Sequence, residues 1–427
     1  MTPNFTRPVV TAATLATLLG LSACAGAAPV EPETSGVERQ VVTVSQANAV
    51  GDIVRATDQF GLTLLKSAPL EQNAVVSPAS AVIALSMLAE GAAGETASQF
   101  DAVLGAAGSD RTDAVNALQA ALEEYAGDPA VVQDKELPEQ PVVHVANQVV
   151  LDSGFTARPQ FLDALGAGYG AGVLVTDLGN KQGKNTLDAW VKENTGGLIE
   201  ESTIEPRDDL RLVLQNATVY AAAWQIPFHE GLTSEQQFTL GAGDLVDVDM
   251  MSQVAEFQYA EAQGWQAVRL PYTSGFHMDV LLPPQGTDPA VITPELKDEL
   301  SAKLSDASAV RVDLSIPKVD IESGALDLKP ALESVGLGDL FAASGPDFSG
   351  ISEEDLYLAQ AVQQAVLAID EAGTIAVAVT ELAMAESSAL LAEELKVFRT
   401  DRPFLVAIEH TQTTWPLFIA AIRDPRH

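Results

Sequence analysis

A chain of 427 residues, 47% of them apolar, can bury a large core, and length alone suggests two or three domains. Its formal charge is −36, from 59 acidic against 23 basic residues. Such a field repels phosphate backbones, anionic lipid headgroups and acidic polysaccharides, so neither nucleic acid nor an acidic polysaccharide is expected as a partner.

At the amino terminus, Arg7 precedes an apolar run from Val9 to Leu21 that is too short to cross a bilayer as a helix. The run ends in Leu21-Ser22-Ala23-Cys24, which resembles the lipobox of bacterial lipoproteins, where cleavage precedes the cysteine and a lipid is attached to it. Residues 1–23 are therefore expected to be a signal peptide, Cys24 the lipid attachment point and 24–45 a flexible tether. An ordinary signal peptide with an incidental cysteine is the alternative. Cys24 is the only cysteine, so no internal disulfide can form.

From residue 46 onward the patterning alternates between helix and strand. Ile53, Val54, Phe60, Leu64 and Leu65 recur at helical spacing between Asp52 and Leu65. Val75-Val76 is a short strand, and Ser77-Pro78 opens a helix with Pro at its first position. Ala81 to Leu88 is apolar all round and predicts a buried helix. Asp110 to Tyr125 predicts a surface helix, "VVHVANQVVL" (142–151) a strand apolar on both faces, and Phe161 to Leu165 the start of another helix. "LDAWVKENTGGLI" predicts a helix capped at Gly196-Gly197. Long strands follow in "RLVLQNATVYAAAWQIPF" and "VRVDLSIPKVDI", with a hairpin across Thr273-Ser274-Gly275 between them. A helix in "DLKPALESVGL" and the strands "RPFLVAIEH" and "WPLFIAAI" close the chain. Helices and strands interleave without βαβ regularity, with no internal repeat and no linker after Ser45. The expectation is one α+β domain over 46–427, against the length prior.

Catalytic motifs are missing. The five histidines, 144, 229, 277, 410 and 427, show no H-E-x-x-H spacing, and no G-x-S-x-G elbow occurs. "GNKQGKNT" (179–186) is one residue short of a phosphate loop and has Asn185 where magnesium binding needs a hydroxyl. "GAGYGAG" (166–172) reads as a flexible turn. No metal-ligand set and no cofactor is read from the sequence, and no enzyme activity is expected.

In register from about Asn48 to Pro425, the ordered segments resemble the serpin family. "NAVVSPAS", "HVANQVVL" and "LVLQNATVYAAAWQIPF" carry the resemblance first, followed by Met250-Met251, "LPY" (270–272) and "LLP" (281–283). "IPKVDI", "ALESVGLGDLF", "DFSGIS" and "DRPFLVAIEH…WPLFIAA" complete it. It implies three β-sheets surrounded by eight or nine helices, with an exposed reactive-centre loop. It also implies that Asn73, Ser77, Ser80, Asn216, Trp224 and Gln363 lie where the main sheet opens. Departures are Gln363 where the family usually has His, Asp188 where Asn is usual, and Ala420 for a common Gly. Gln363 can still donate and accept hydrogen bonds.

The bait loop implied by the resemblance begins at Glu371, with Gly373 and Thr374 as hinge. If it inserts into a sheet, Thr374, Ala376, Ala378 and Thr380 share the core-facing side, and all are small. Ile375, Val377 and Val379 face outward and favour a strand. The family's usual spacing from Glu371 puts the reactive bond at Ser387-Ser388, with Glu386-Ser387 as rival. No Arg or Lys lies between Ile369 and Leu395, which favours elastase-like or subtilisin-like serine proteases over trypsin-like ones. The implied activity is suicide inhibition by a monomer tethered to the outer face of a bacterial membrane. The alternative is a non-inhibitory binding or scaffold protein of the same fold.

Overall fold

The computed structural model describes residues 32–70, 72–134, 136–322, 326–374 and 395–426. The signal peptide, Cys24, and the loop positions from Ile375 onward, including Ala376, Ala378, Thr380, Glu386, Ser387 and Ser388, lie outside the described residues.

In chain order the first elements are α1 (Val50–Ser67), β1 (Ala74–Val76), α2 (Pro78–Ala89), α3 (Gly94–Leu104), α4 (Gly108–Leu122) and β2 (Val142–Asp152). Then come α5 (Pro159–Tyr169), β3 (Val173–Thr176), α6 (Lys181–Asn194), β4 (Leu212–Ala223), β5 (Ser234–Thr239), β6 (Leu245–Ala262), β7 (Trp265–Pro271) and β8 (Phe276–Leu282). The chain continues through α7 (Pro294–Asp306), β9 (Val310–Pro317), β10 (Val319–Glu322), β11 (Leu326–Asp327), α8 (Lys329–Ser334), β12 (Leu358–Gln364) and β13 (Val366–Ile369). It ends with β14 (Gly373–Thr374), β15 (Lys396–Arg399), β16 (Phe404–His410) and β17 (Pro416–Ile422). The fold is α+β, with eight α-helices among the described residues.

Two hydrogen-bonded sheets enclose the core. The larger runs β1-β17-β16-β8-β7-β6-β9-β15, with β5 also on β6. Its long strand β6 serves two ladders, pairing β9 through residues 250–257 and β7 through 258–262. Because β6 belongs to both ladders, they join into one continuous sheet among the described residues. In the main sheet, β2 lies antiparallel to β4 from Val142↔Ala221 to Leu151↔Leu212, and β3 adds parallel to β2. Every residue of α2 is buried, because this helix is enclosed between β2 and β4 of the main sheet and β17 of the larger one.

Several local expectations change. "VRVDLSIPKVDI" is two strands: Pro317, which has no N–H for a ladder, ends β9, and Val319 starts β10 in the other sheet. Helix α6 begins six residues before Leu187, because the Asn180 side chain accepts bonds from Gln182 N at 2.8 Å and Gly183 N at 3.0 Å. "GNKQGKNT" is thus a capped helix start. "GAGYGAG" is the last turn of α5 with a left-handed cap at Gly170 (φ 63°).

Residues 32–45, expected as the second half of a tether, run against the body instead. Glu33 exchanges two backbone hydrogen bonds with Val173 on β3, Gln40 N donates to Ala167 O at 2.9 Å, and Val42 N donates to Asn116 Oδ1 at 2.8 Å. The glycines make room for this strap: a Cβ on Gly172 would meet Glu33 O at 2.5 Å, and one on Gly166 would meet Val37 O at 2.9 Å.

Candidate functional site

At one end of the main sheet β12 pairs directly with β4 in parallel, from Leu358↔Leu212 to Gln364↔Ala217. Beyond Gln364 the two strands diverge, and β14 occupies the space between β13 and β4. A tight turn sends the chain from β13 back into that gap. Asp370 Oδ1 accepts from Ala372 N at 2.9 Å and Gly373 N at 3.0 Å, and Ile369 then faces Thr374. Gly373 pairs with Ala223 and Thr374 with Ala222. Only glycine fits at 373, because a Cβ would come within 2.1 Å of Ala222 O and 2.6 Å of the Leu137 side chain.

The gap is lined to hold this segment. Thr374 is buried on the core side and shares a 2.6 Å hydrogen bond with Tyr272 Oη. Tyr272 stacks on Trp224 with ring centroids 4.5 Å apart. Trp224 donates its Nε1 to Asp370 O at 3.0 Å and its backbone N–H to Ala372 O at 2.9 Å. Phe228 N donates to Glu371 O at 2.8 Å. The Glu371 carboxylate receives Thr233 Oγ1 at 2.6 Å and Lys318 Nζ at 2.8 Å. Burial opposes its ionisation, but these two donors outweigh that and hold its carboxyl below the ordinary range. For Asp370, burial prevails over its turn hydrogen bonds and pushes the carboxyl up.

Lower in the sheet the sequence-expected polar residues meet. Gln363 clamps the backbone of Ser77 from both sides: Ser77 N donates to Gln363 Oε1 at 2.8 Å, and Gln363 Nε2 donates to Ser77 O at 2.7 Å. The same Nε2 donates to Asn216 Oδ1 at 2.9 Å, and Asn216 Nδ2 to Asn147 Oδ1 at 2.5 Å. Ser80 Oγ donates to Asn147 Oδ1 at 3.3 Å. One network thus crosses β12, β4 and β2 and anchors them to the start of α2. Pro78 is the first residue of α2, as expected, but the Ser77 side chain makes no capping bond. Asn73 bonds the chain end: Asn73 Nδ2 donates to Asp424 O at 2.6 Å, and its Oδ1 accepts from Arg423 N at 2.7 Å. Asp188 accepts from Ser202 N at 2.8 Å and from Lys184 Nζ at 2.5 Å, pinning α6 to the chain that follows it.

Helix α6 lies over the main sheet through a separate small core of Val150, Leu174, Leu178, Leu187, Ile204, Leu210, Val213 and Val362. This seal covers the line where β4 meets β12. Sequence reasoning missed Tyr272, Thr233, Lys318 and Asn147. Tyr272, Lys318 and Asn147 lay inside segments already singled out, "LPY", "IPKVDI" and "HVANQVVL", whereas Thr233 lay in none of them.

A family model described as Serpin (serine protease inhibitor) matches residues 55–425. Iripin-2 of Ixodes ricinus is 31% identical over 379 residues, covering 87% of this chain and 93% of its own length. The leukocyte elastase inhibitor of Bos taurus is 29% identical over 385 residues, covering 87% and 97%. The native-state structure of tengpin, a thermophilic serpin, superposes with a TM-score of 0.77 at 23% identity, covering 93% of this chain and 100% of that one. The chain belongs to the serpin family and has the serpin fold. Members of that family are generally inhibitors that act on target proteases rather than enzymes.

Proposed function

We propose that this serpin inhibits serine proteases by insertion of its cleaved loop into the main sheet. One observation carries the reading: Gly373 and Thr374 are already seated between β13 and β4, with Thr374 on the core side. Continued in the register Thr374↔Ala222, the loop would run antiparallel to β4, and Thr380 would arrive opposite Asn216. Ala376, Ala378 and Thr380 would share the core-facing side with Thr374, where only small groups fit. About fifteen inserted residues at roughly 3.3 Å each would carry an acyl-linked protease about 50 Å. A dozen new backbone hydrogen bonds at about 0.5–1.5 kcal/mol each supply on the order of 10 kcal/mol. Losing one oxyanion donor costs a protease about 3–4 kcal/mol, so the insertion energy suffices to distort it.

The reactive bond in this reading is Ser387-Ser388, with Glu386-Ser387 as rival, and the targets are elastase-like or subtilisin-like proteases. The loop composition supports this, as does the likeness to a protein named leukocyte elastase inhibitor. The lipobox supports attachment through Cys24 to the outer face of a bacterial membrane.

The test is incubation with a panel of such proteases, read by denaturing gel and by melting of the nicked product. An SDS-stable adduct and a sharp rise in melting temperature on nicking are expected. Cleavage with neither would leave a non-inhibitory scaffold of the same fold. Thr374→Arg, which puts a charge beside Tyr272, is expected to convert the inhibitor into a substrate.

A further inference from the structure

The larger sheet contains a charged cluster that the loop mechanism does not use. His277 and Asp279 lie two apart on β8, on one face of the strand, and Glu409 on β16 is the register partner of His277. All three are buried. His277 Nε2 has no hydrogen-bond partner; it faces Glu409 Oε2 at 3.6 Å and Asp279 Oδ1 at 3.9 Å. The ligand atoms of all three residues lie within 4.8 Å of one another.

The surroundings fix these groups in place. His277 Nδ1 is 3.2 Å from Thr411 Oγ1, which turns Nε2 toward the carboxylates. Arg269 binds both oxygens of Asp279 at 2.7 Å. Lys297 Nζ reaches Glu409 Oε1 at 2.7 Å and Asp58 Oδ1 at 2.6 Å, leaving Glu409 Oε2 toward the imidazole. Three carboxylates, Asp58, Asp279 and Glu409, thus face two fixed cations, and at 3.6 and 3.9 Å the imidazole Nε2 makes a hydrogen bond with neither of its carboxylate neighbours.

We propose that His277, Asp279 and Glu409 bind a divalent transition metal ion of the zinc class inside the larger sheet. One imidazole nitrogen and two carboxylate oxygens on rigid neighbouring strands match its ligand preference, and bonds of about 2.0–2.2 Å are reached by a small contraction of the present separations. The other imidazole nitrogen and the carboxylates already have the outer partners that orient metal ligands. A bound ion would cross-link β8 to β16 and add stability by mass action. It does not depend on whether the loop inserts.

The full chain is unfolded and refolded with Zn²⁺ or with chelator, so that access to a buried site does not limit binding. After dialysis, metal content is measured by mass spectrometry and melting is recorded; a Co²⁺ sample is read by visible absorption. About one retained equivalent, a melting temperature several degrees higher with zinc and a ligand-field band with Co²⁺ are expected. His277→Gln should lose all three, and His144→Gln should keep them. Wild-type protein that refolds with zinc and retains none overturns the proposal, as does His277→Gln retaining as much metal as wild type. If His277→Gln does not fold, the wild-type Co²⁺ spectrum decides, since a site with nitrogen and oxygen ligands has its own band.

Discussion

Gln363 carries more of the closed state than its single side chain suggests. Its amide satisfies both backbone groups of Ser77 and the Asn216 carbonyl, all buried. Each buried polar group left unpaired costs about 1–3 kcal/mol. Gln363→Ala is therefore expected to destabilise the intact protein by about 3 kcal/mol or more in denaturant unfolding, and to speed spontaneous loop insertion on storage. Glu371 gives a pH dependence at the same scale. Its carboxyl is held below its ordinary value, so its contribution is complete above the ordinary carboxylate range and is lost as pH falls through the depressed value. Asp370, pushed up by burial, acts in the opposite sense. Glu371→Gln is the comparison that isolates the effect: wild type should lose melting temperature more steeply than the variant below about pH 4. The facing of Thr374 was readable from the alternation of small residues. Its partner Tyr272 was not, because the two lie about a hundred positions apart and meet only once β14 is seated.

Among the elements, α6 acts as a lid. Its Leu187 belongs to the small core that also holds Val213 of β4 and Val362 of β12, the two strands that the proposed insertion would part. Leu187→Ala is expected to destabilise the intact protein by about 2–5 kcal/mol. It should also raise the ratio of SDS-stable adduct to cleaved inhibitor, because the seal opens more easily after cleavage. Gel densitometry at fixed protease stoichiometry reads that ratio, and an unchanged or lower ratio contradicts a sealing role for α6. Helices α1 and α2 were legible because their signals are local, an amphipathic period in the first and a Pro opening an all-apolar run in the second. Strand β6 was missed, since its run "LVDVDMMSQVAEFQYAEA" mixes acidic and apolar residues and becomes regular only as its neighbours cover alternate positions. The apparent strand Val310–Ile321 divides at Pro317 for a reason the sequence contained but did not rank: apolar continuity outweighed a single missing donor.

For the molecule as a whole, the net charge of −36 makes association with a protease depend on the sign of its partner's surface. With a basic target protease, the second-order inhibition rate constant should fall about tenfold or more as ionic strength rises from about 0.01 M to about 0.5 M. With an acidic protease it should rise. Stopped-flow kinetics with one protease of each kind checks both. The strap at residues 32–45 belongs to this scale as well. Composition alone suggested a loose tether, but glycines on α5 and beside β3 let its backbone approach closely enough to pair.

The sequence alone determined the α+β content, the entry to α2 at Pro78, and the row of small residues that an inserting strand would need, because these follow from neighbours within a few positions. It also determined the family, through a series of collinear segments. Only the tertiary structure decided that Gln363 grips Ser77, that Thr374 meets Tyr272, that Asn73 serves the chain end, and that His277 faces Glu409. Those pairings depend on strand register and loop closure over tens to hundreds of residues. Burial then gives each contact its energy, and neither register nor burial is written in local periodicity.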